Sequence, residues 1–347
     1  MTRINILIVA LLCAVPLSVS AQQLRLNRQQ KFPDDMPAGN YSGITPIGGD
    51  RYAVVSDKTA DGFYVFHISI DSVSGRIVSV GNEGFRPSGH DSRDQEGIAW
   101  CPRSRTLFIS GEADNQILEY DADGRRTGRR LQVPATFSQL SGNYGLESLC
   151  YDAVSHRFYT VSERPARGDS LLWLTAFDDS GRVVECTVYP VHAEPYILNT
   201  ITYDENGLMA TCFEEGALMK LHWENGDLMG WDEFAEDGSI VGKATIEYND
   251  IESEHCLAHP LFTSWNDMLY ARGFYGKVSR HLPIYYKREN FSADGTLSFY
   301  IERTYTYELT GGRVSSYTDQ GETTGMLYGM PYTATSTKTY HISWTRL

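Results

Sequence analysis

The chain has 347 residues, 41% of them apolar, which is enough to bury one large core or two smaller ones and excludes a disordered protein. Its formal net charge of −14 argues against nucleic acid or an anionic membrane as a partner. A polyanionic substrate would therefore need bound cations or a local cluster of arginines.

The first residues have the layout of a cleavable secretory signal. Arg3 precedes an apolar run from Ile4 to Val15, and small residues then lead to Ala21. The apolar run is too short for a stable membrane anchor, and the residues before Cys13 match a lipid-attachment site poorly. We predict a signal peptide over residues 1–21 and a secreted or periplasmic protein with no transmembrane segment in the mature chain. A lipoprotein is the less favoured alternative.

Removal of this signal would leave an odd number of cysteines in an oxidising compartment. They are Cys101, Cys150, Cys186, Cys212 and Cys256. Most lie in apolar, strand-like runs and none forms the close pair typical of a zinc knuckle, so we predict buried thiols rather than a disulfide framework.

Four similar units follow one another between about residues 42 and 226. Each contains a strand-like run that ends on an acidic residue and is followed by a polar turn. These acids, which lie 55, 51 and 51 residues apart, are Asp57, Glu112, Glu163 and Glu214. Short alternating runs between Asp-Gly and Ser-Gly turns predict strands. A repeat of about fifty residues is the size of a β-propeller blade, although four blades would close only a small ring and three would not close.

The second part of the chain has a different composition. Fourteen of the 22 tyrosines follow residue 195, and the runs at 300–309 and 313–317 predict long antiparallel hairpins. The segment Cys256–Tyr275 predicts a helix. We therefore predict an all-β protein, with a partial or small β-propeller-like repeat domain over residues 22–195 and an antiparallel β-sheet domain over residues 196–347.

Several short motifs of the first part occur in the order found in one known family. They are the segments 94–99, 120–125, 131–134, 143–149 and 162–165. On these motifs, residues 40–195 resemble the phytase-like family, known for the esterase-like activity of phytase. The resemblance implies a β-propeller and a phosphoric ester hydrolase. Members of that family continue through further blades, whereas the second part of this chain resembles a β-rich domain of unknown function from secreted bacterial proteins.

Two repeated motifs suggest where the chemistry lies. The innermost strands of a propeller begin at its central channel, so Glu96 and Glu147 are expected to converge there. Carboxylates that meet in a cleft repel one another unless they share a proton or hold a cation, and calcium would suit an acidic protein that acts on phosphate. The candidate metal ligands are Glu96, Glu147, Asp94, Glu112 and Glu163. The acids that end repeated strands could instead cap turns or bond to neighbouring blades.

The other candidates lie beside these acids. Glu96, Glu147 and the loop residue His90 are the candidate catalytic residues. Arg164 and Arg93 are the candidate contacts for a phosphate group. His255 and His259 have a spacing that can hold zinc but lack the glutamate between them that a zinc protease needs.

Two functions from different classes remain open. The first is a secreted, metal-assisted phosphoesterase that acts on a small phosphorylated or ester substrate. The second is a non-catalytic binding or scaffold protein, whose tyrosine-rich hairpins offer an aromatic surface to a protein or glycan. Tyrosines at every second strand position are also expected where strands simply pack against each other.

Overall fold

The computed structural model describes residues 36–37, 39–134, 137, 145–164, 171–190, 193–214, 216–252, 277, 279–327 and 330–342. These residues form 21 β-strands in three antiparallel sheets and contain no α-helix. None of them belongs to a helix that could cross a membrane. The predicted signal peptide and the predicted helix at Cys256–Tyr275 lie outside the described residues.

The first two units are separate four-stranded sheets with strands in sequence order. The first sheet contains β1 (Tyr41–Gly48), β2 (Arg51–Ser56), β3 (Gly62–Ile70) and β4 (Ile77–Pro87). The second contains β5 (Gln95–Cys101), β6 (Thr106–Gly111), β7 (Gln116–Tyr120) and β8 (Arg126–Arg130).

All the remaining strands form one sheet of 13 strands, in which each strand pairs with the next along the chain. They are β9 (Cys150–Asp152), β10 (Arg157–Thr160), β11 (Leu171–Phe177), β12 (Val183–Pro190), β13 (Tyr196–Tyr203), β14 (Met209–Glu214), β15 (Ala217–Glu224), β16 (Asp227–Phe234), β17 (Ile240–Glu252), β18 (His281–Phe291), β19 (Leu297–Thr310), β20 (Arg313–Leu327) and β21 (Met330–His341).

Several hairpins are closed by the same Asp-x-x-Gly turn. The side chains of Asp121, Asp178 and Asp204 each accept two backbone N–H bonds, from the residues two and four positions later. The glycine of each turn has a positive φ, which glycine adopts without strain. These turns therefore fix the register of the hairpins that the sequence predicts.

The long sheet continues without interruption past residue 195. Strand β12 pairs with β13 through Glu185–Thr200 and Val188–Tyr196, so the third unit is the beginning of the long sheet. The fourth unit belongs to the same sheet and is not a separate blade. The predicted fold class is confirmed: the protein is all-β, with propeller-like units followed by an antiparallel sheet. The division into two domains at residue 195 remains a prediction.

The first strands of the three units, β1, β5 and β9, lie side by side, as innermost strands do in a propeller. Glycines make this close approach possible. A Cβ atom at Gly43 would lie 2.7 Å from the backbone oxygen of Glu96, and one at Gly97 would lie 2.5 Å from the backbone nitrogen of Leu149. The units therefore meet backbone to backbone around their inner ends.

Two apolar cores fill the spaces behind these strands. Phe63, Ile98 and Leu107 belong to a core between the first two sheets. A larger core extends from Phe108 and Phe158 along the long sheet as far as Tyr305. Cys101, Cys186 and Cys212 are buried and Cys150 is exposed, and none of these four forms a disulfide with another described residue.

We expect Gly97→Ala to lower the free energy of unfolding by about 1–3 kcal/mol, because the added methyl group would overlap the backbone of Leu149, directly before β9. Gly81→Ala is the matched control. Its Cβ would lie 3.9 Å from the Cβ of His67, an ordinary van der Waals contact, so little change is expected. Urea unfolding of both variants measures the difference, and equal effects would show that the inner strands are not closely packed at Gly97.

Candidate metal centre

One backbone contact recurs in all three units and places an acidic residue at the inner end of each second strand. In each case the N–H of the acid donates to the carbonyl of the residue directly before the first paired residue of its unit, which is Tyr41, Gln95 or Leu146. The pairs are Asp57 N to Asn40 O (3.2 Å), Glu112 N to Asp94 O (2.9 Å) and Glu163 N to Gly145 O (3.1 Å). The constant spacing of these acids therefore reflects a repeated backbone geometry.

A second repeated feature brings another side chain to the same place. The backbones pair at Tyr41–Ser56, Gln95–Gly111 and Leu146–Ser162, and an irregularity in register follows the first two of these pairs. The residues that come next along the chain are Ser42, Glu96 and Glu147. Bulges of this kind re-aim side chains. The second and third units thus each contribute two carboxylates to the inner ends of the strands.

Glu112, Glu147 and Glu163 converge. Each offers one carboxylate oxygen, and these three oxygens all lie within 4.8 Å of one another. Glu112 is buried, Glu147 is half-buried and Glu163 is exposed. The backbone N–H of Gly145 also donates to Glu112 Oε1 at 3.2 Å, which ties the second unit to the third at this point. The cluster therefore joins two sheets and opens to solvent on the side of Glu163.

The proximity of these acids alters their ionisation. Burial raises the pKa of Glu96 to about 7, and the charges of Glu147, Asp57 and Glu112 add to this effect, while Lys58 opposes it. Burial also raises the pKa of Glu147, with further contributions from Glu112 and Glu163. Without a cation, the fold therefore holds carboxylates together at a cost in electrostatic free energy.

The donor set fits a hard divalent cation. All the residues of the cluster offer carboxylate oxygens, which suit calcium or magnesium, whereas zinc sites usually include histidine or cysteine. Asp57 gives a second indication, because its Oδ1 is buried and no described residue donates a hydrogen bond to it. Glu112, Glu147 and Glu163 are the residues that could hold the ion, with Glu96 and Asp57 beside them.

Two cationic side chains stand at the rim of this cluster. Lys58 Nζ lies 3.0 Å from Asp57 Oδ2 and 4.0 Å from Asp94 Oδ1. Arg164 Nε lies 3.8 Å from Glu163 Oε1. Both side chains are well exposed. Arg164 was predicted from the sequence and Lys58 was not, although the two occupy equivalent positions, each directly after the acid that ends a repeated strand.

A family model covers the part of the chain that forms the three units. The model for the phytase-like family, described as esterase-like activity of phytase, matches residues 36–211. The chain belongs to the phytase-like family. The match includes the three units and all the carboxylates of the cluster, so the resemblance predicted from the short motifs is confirmed. The comparison with curated proteins gave no match.

Solved structures show only distant similarity to this phytase-like protein. A porin-like protein from Bacteroides uniformis is 12% identical, with 86% of this chain and 94% of that chain covered and a TM-score of 0.36. Hydrazine synthase from Kuenenia stuttgartiensis is 10% identical, with 88% and 69% covered and a TM-score of 0.28. A streptogramin B lyase is 11% identical, with 91% and 87% covered and a TM-score of 0.24. Scores this low carry no argument about the site.

Asp94 contributes to the site mainly through its backbone. It has a positive φ of 47°, and its carbonyl accepts the N–H of Glu112. Its carboxylate is directed towards Lys58 rather than into the group of Glu112, Glu147 and Glu163. The structure thus brings together three of the five predicted ligands, Glu112, Glu147 and Glu163. Glu96 lies close enough to Glu147 and Glu112 for their charges to raise its pKa, and Asp94 lies at the edge beside Lys58.

Arg93 does not occupy the position predicted for a phosphate contact. Its buried guanidinium group donates to Asp114 at 2.7 and 2.8 Å, to the Tyr120 hydroxyl at 3.1 Å and to the Gln116 carbonyl at 2.8 Å. Asp61, which is fully buried, accepts hydrogen bonds from Tyr120 and Arg126 in the same network. Arg93 therefore belongs to a buried network that joins the first two units through Asp61, 4.0 Å from its guanidinium group, and its donors are already engaged.

His90 and Glu214 also lie apart from the cluster. His90 is exposed, and its backbone bonds to Asp61 N and Ser88 Oγ are the contacts that the structure gives it. Glu214 pairs with Asn199 in the β13–β14 ladder, so it is a paired strand residue, whereas Asp57, Glu112 and Glu163 follow the last residue of their strand pairing. His255 and His259 lie outside the described residues.

We expect the metal-free protein to be less stable at pH 8 than at pH 5.5. The pKa of Glu96 is higher in the folded chain, at about 7, than the ordinary glutamate value of 4.5. The folded state therefore binds more protons between these values, and stability falls as the pH rises through this window. Glu96→Gln should raise the free energy of unfolding at pH 8 by on the order of 1 kcal/mol after allowance for solvent screening.

Chemical unfolding in EDTA at both pH values measures this effect. Glu224→Gln, on an exposed position of β15, is the matched control and should leave the pH profile unchanged. A wild-type profile that rises steadily from pH 5.5 to pH 8 would contradict the electrostatic description of the site.

Proposed function

We propose that this phytase-like protein is a secreted, calcium-dependent phosphoesterase. The observation that carries the proposal is the convergence of three carboxylate oxygens from Glu112, Glu147 and Glu163 within 4.8 Å of one another. Such a cluster would repel a phosphate ester by itself. Calcium, when bound, would reverse the local charge, polarise phosphoryl oxygens and stabilise the negative charge of the transition state.

The residues around the cluster would have separate tasks. Glu112, Glu147 and Glu163 would hold the ion. Lys58 and Arg164 lie exposed at the rim, beside Asp57 and Glu163 respectively. They would bind the phosphate oxygens and orient the ester. Glu96 is half-buried beside Glu147, and the pKa of its carboxyl group, at about 7, suits proton exchange with water near neutral pH.

A non-catalytic function is the second candidate, and a different observation favours it. Glu112 belongs to the second sheet, whereas Glu147 and Glu163 belong to the third unit. A cation at this point would therefore clamp two sheets together whether or not a substrate binds. In this alternative the ion stabilises a scaffold, and the binding function resides elsewhere on the protein.

Calcium should raise the melting temperature of the EDTA-treated protein by several degrees, because only the folded chain presents the converged carboxylates. Glu112→Gln combined with Glu147→Gln should remove this shift. Glu224→Gln should retain it. If calcium does not change the melting of the wild type, both the catalytic and the scaffold interpretations of the cluster are wrong.

Turnover separates the two candidates. With calcium present, the wild type should hydrolyse an aryl phosphate or an inositol phosphate, and EDTA should abolish the activity. Lys58→Ala and Arg164→Ala should each lower kcat/KM by about tenfold or more while the calcium-dependent melting shift persists. A wild type that shows the shift but no turnover on either substrate would exclude the phosphoesterase and favour the scaffold.

A further inference from the structure

Strand β21 is the last strand of the 13-stranded sheet, and it is unusually exposed. It pairs with β20 along its whole length, and no described strand pairs with its other side. Eleven of its 12 residues are exposed, and Tyr332 is half-buried. A long edge strand of this kind presents unpaired N–H and C=O groups and is a template for another strand.

The register shows which backbone groups point to the open side. Ile342 N donates to Ser315 O at 2.9 Å, and this pair continues the register of the β20–β21 ladder, which has no irregularity. Hydrogen-bonded pairs alternate along an antiparallel ladder. The even-numbered residues of β21 therefore bond to β20. The N–H and C=O groups of Thr333, Thr335, Thr337 and Thr339 point away from the sheet.

Side-chain contacts support this assignment. The hydroxyl groups of Thr339 and Thr318 lie 3.0 Å apart, as do those of Thr333 and Thr324. Side chains approach most closely at pairs without backbone hydrogen bonds, which is where the assignment places these threonines. Pro331 also fits, because its missing N–H falls on the open side, where it costs no bond to β20.

The sequence of β21 reads almost the same in both directions about Ser336. From Tyr332 to Tyr340 it is Tyr-Thr-Ala-Thr-Ser-Thr-Lys-Thr-Tyr. An antiparallel copy centred on Ser336 would place Tyr332 opposite Tyr340, Thr333 opposite Thr339 and Thr335 opposite Thr337. Lys338, the lysine of this segment, would face Ala334 rather than another charge.

We propose that two copies of this protein associate through β21, with the strands antiparallel and a two-fold axis at Ser336. The outward-pointing N–H and C=O groups of the four threonines then form hydrogen bonds with the same groups of the second copy. The axis passes through a pair without backbone hydrogen bonds, where the small serine side chains avoid a clash. If the register between the two copies were shifted by two residues, Tyr332 would lie opposite Lys338 instead of Tyr340, and like residues would no longer face each other. The interface is isologous and closes at two copies, so neither β21 edge stays open.

Cross-linking tests both the interface and its register. At a pair without backbone hydrogen bonds the Cα atoms lie about 4.5 Å apart, within the range that a disulfide spans. In a background with Cys150→Ser and Cys256→Ser, which removes the exposed cysteine of the described residues and the one that lies outside them, Ser336→Cys should therefore give a covalent dimer under mild oxidation. Ala334→Cys is the matched control, because its two copies would lie about 13 Å apart and should remain unlinked.

The parent protein should be dimeric by light scattering at tens of micromolar. A monomer at this concentration would overturn the proposal. Equal cross-linking at positions 334 and 336 would overturn it as well, because it would indicate random collision or a different register.

Charge placement gives an independent test. Thr335→Lys combined with Thr337→Lys puts lysines opposite each other on both sides of the axis, so the dimer dissociation constant should rise by about tenfold or more. Mixing this variant with one that carries Thr335→Glu and Thr337→Glu should restore the dimer. Restoration cannot follow from misfolding, and its failure in two folded variants would contradict the proposed pairing.

The matched control is Thr304→Lys combined with Thr306→Lys. These threonines are exposed on β19, on the same face and with the same spacing, but two strands from the edge. The control should dimerise as the parent does. An equal loss of dimer in the control would show that charge on this face, rather than pairing at β21, governs association.

Discussion

The organisation of this protein depends on the backbone contact that ends the second strand of each unit. The same N–H to carbonyl bond fixes Asp57, Glu112 and Glu163, and close packing through Gly43 and Gly97 brings the inner strands together. Carboxylates that the chain holds in place cannot move apart to relieve their repulsion. Burial and this repulsion raise the pKa values of Glu96 and Glu147. A bound cation would relieve the repulsion.

The rest of the architecture determines how this site is enclosed. The first two units end as separate sheets, whereas the third continues into a single sheet that runs to β21. The buried network of Asp61, Arg93 and Tyr120 joins the first two units, and the bond from Gly145 N to Glu112 joins the second to the third. The cluster thus lies where independently hydrogen-bonded sheets meet, so ion binding and the docking of the sheets are coupled.

Much of the site could be predicted because its residues recur at a constant interval. The spacing identified Glu112 and Glu163, and the repeated opening motifs identified Glu96 and Glu147. Arg93 could not be placed in this way, since its partners Asp114 and Tyr120 lie more than twenty residues along the chain. Lys58 was detectable only by aligning the residue that follows each strand-end acid. The continuation of the sheet past residue 195 depends on the pairing of β12 with β13, and local patterns of apolar and polar residues do not specify which strands pair.

Calorimetric titration of calcium into the EDTA-treated protein near pH 7 tests the central claim most directly. Repeated in buffers of different ionisation enthalpy, it reports both the affinity and the number of protons released. If the carboxylate cluster is a cation site, calcium binds and displaces protons from the carboxyl groups whose pKa is raised. Glu112→Gln combined with Glu147→Gln then removes both the binding and the proton release. Absence of binding by the wild type, or binding that survives these two substitutions, would contradict the account.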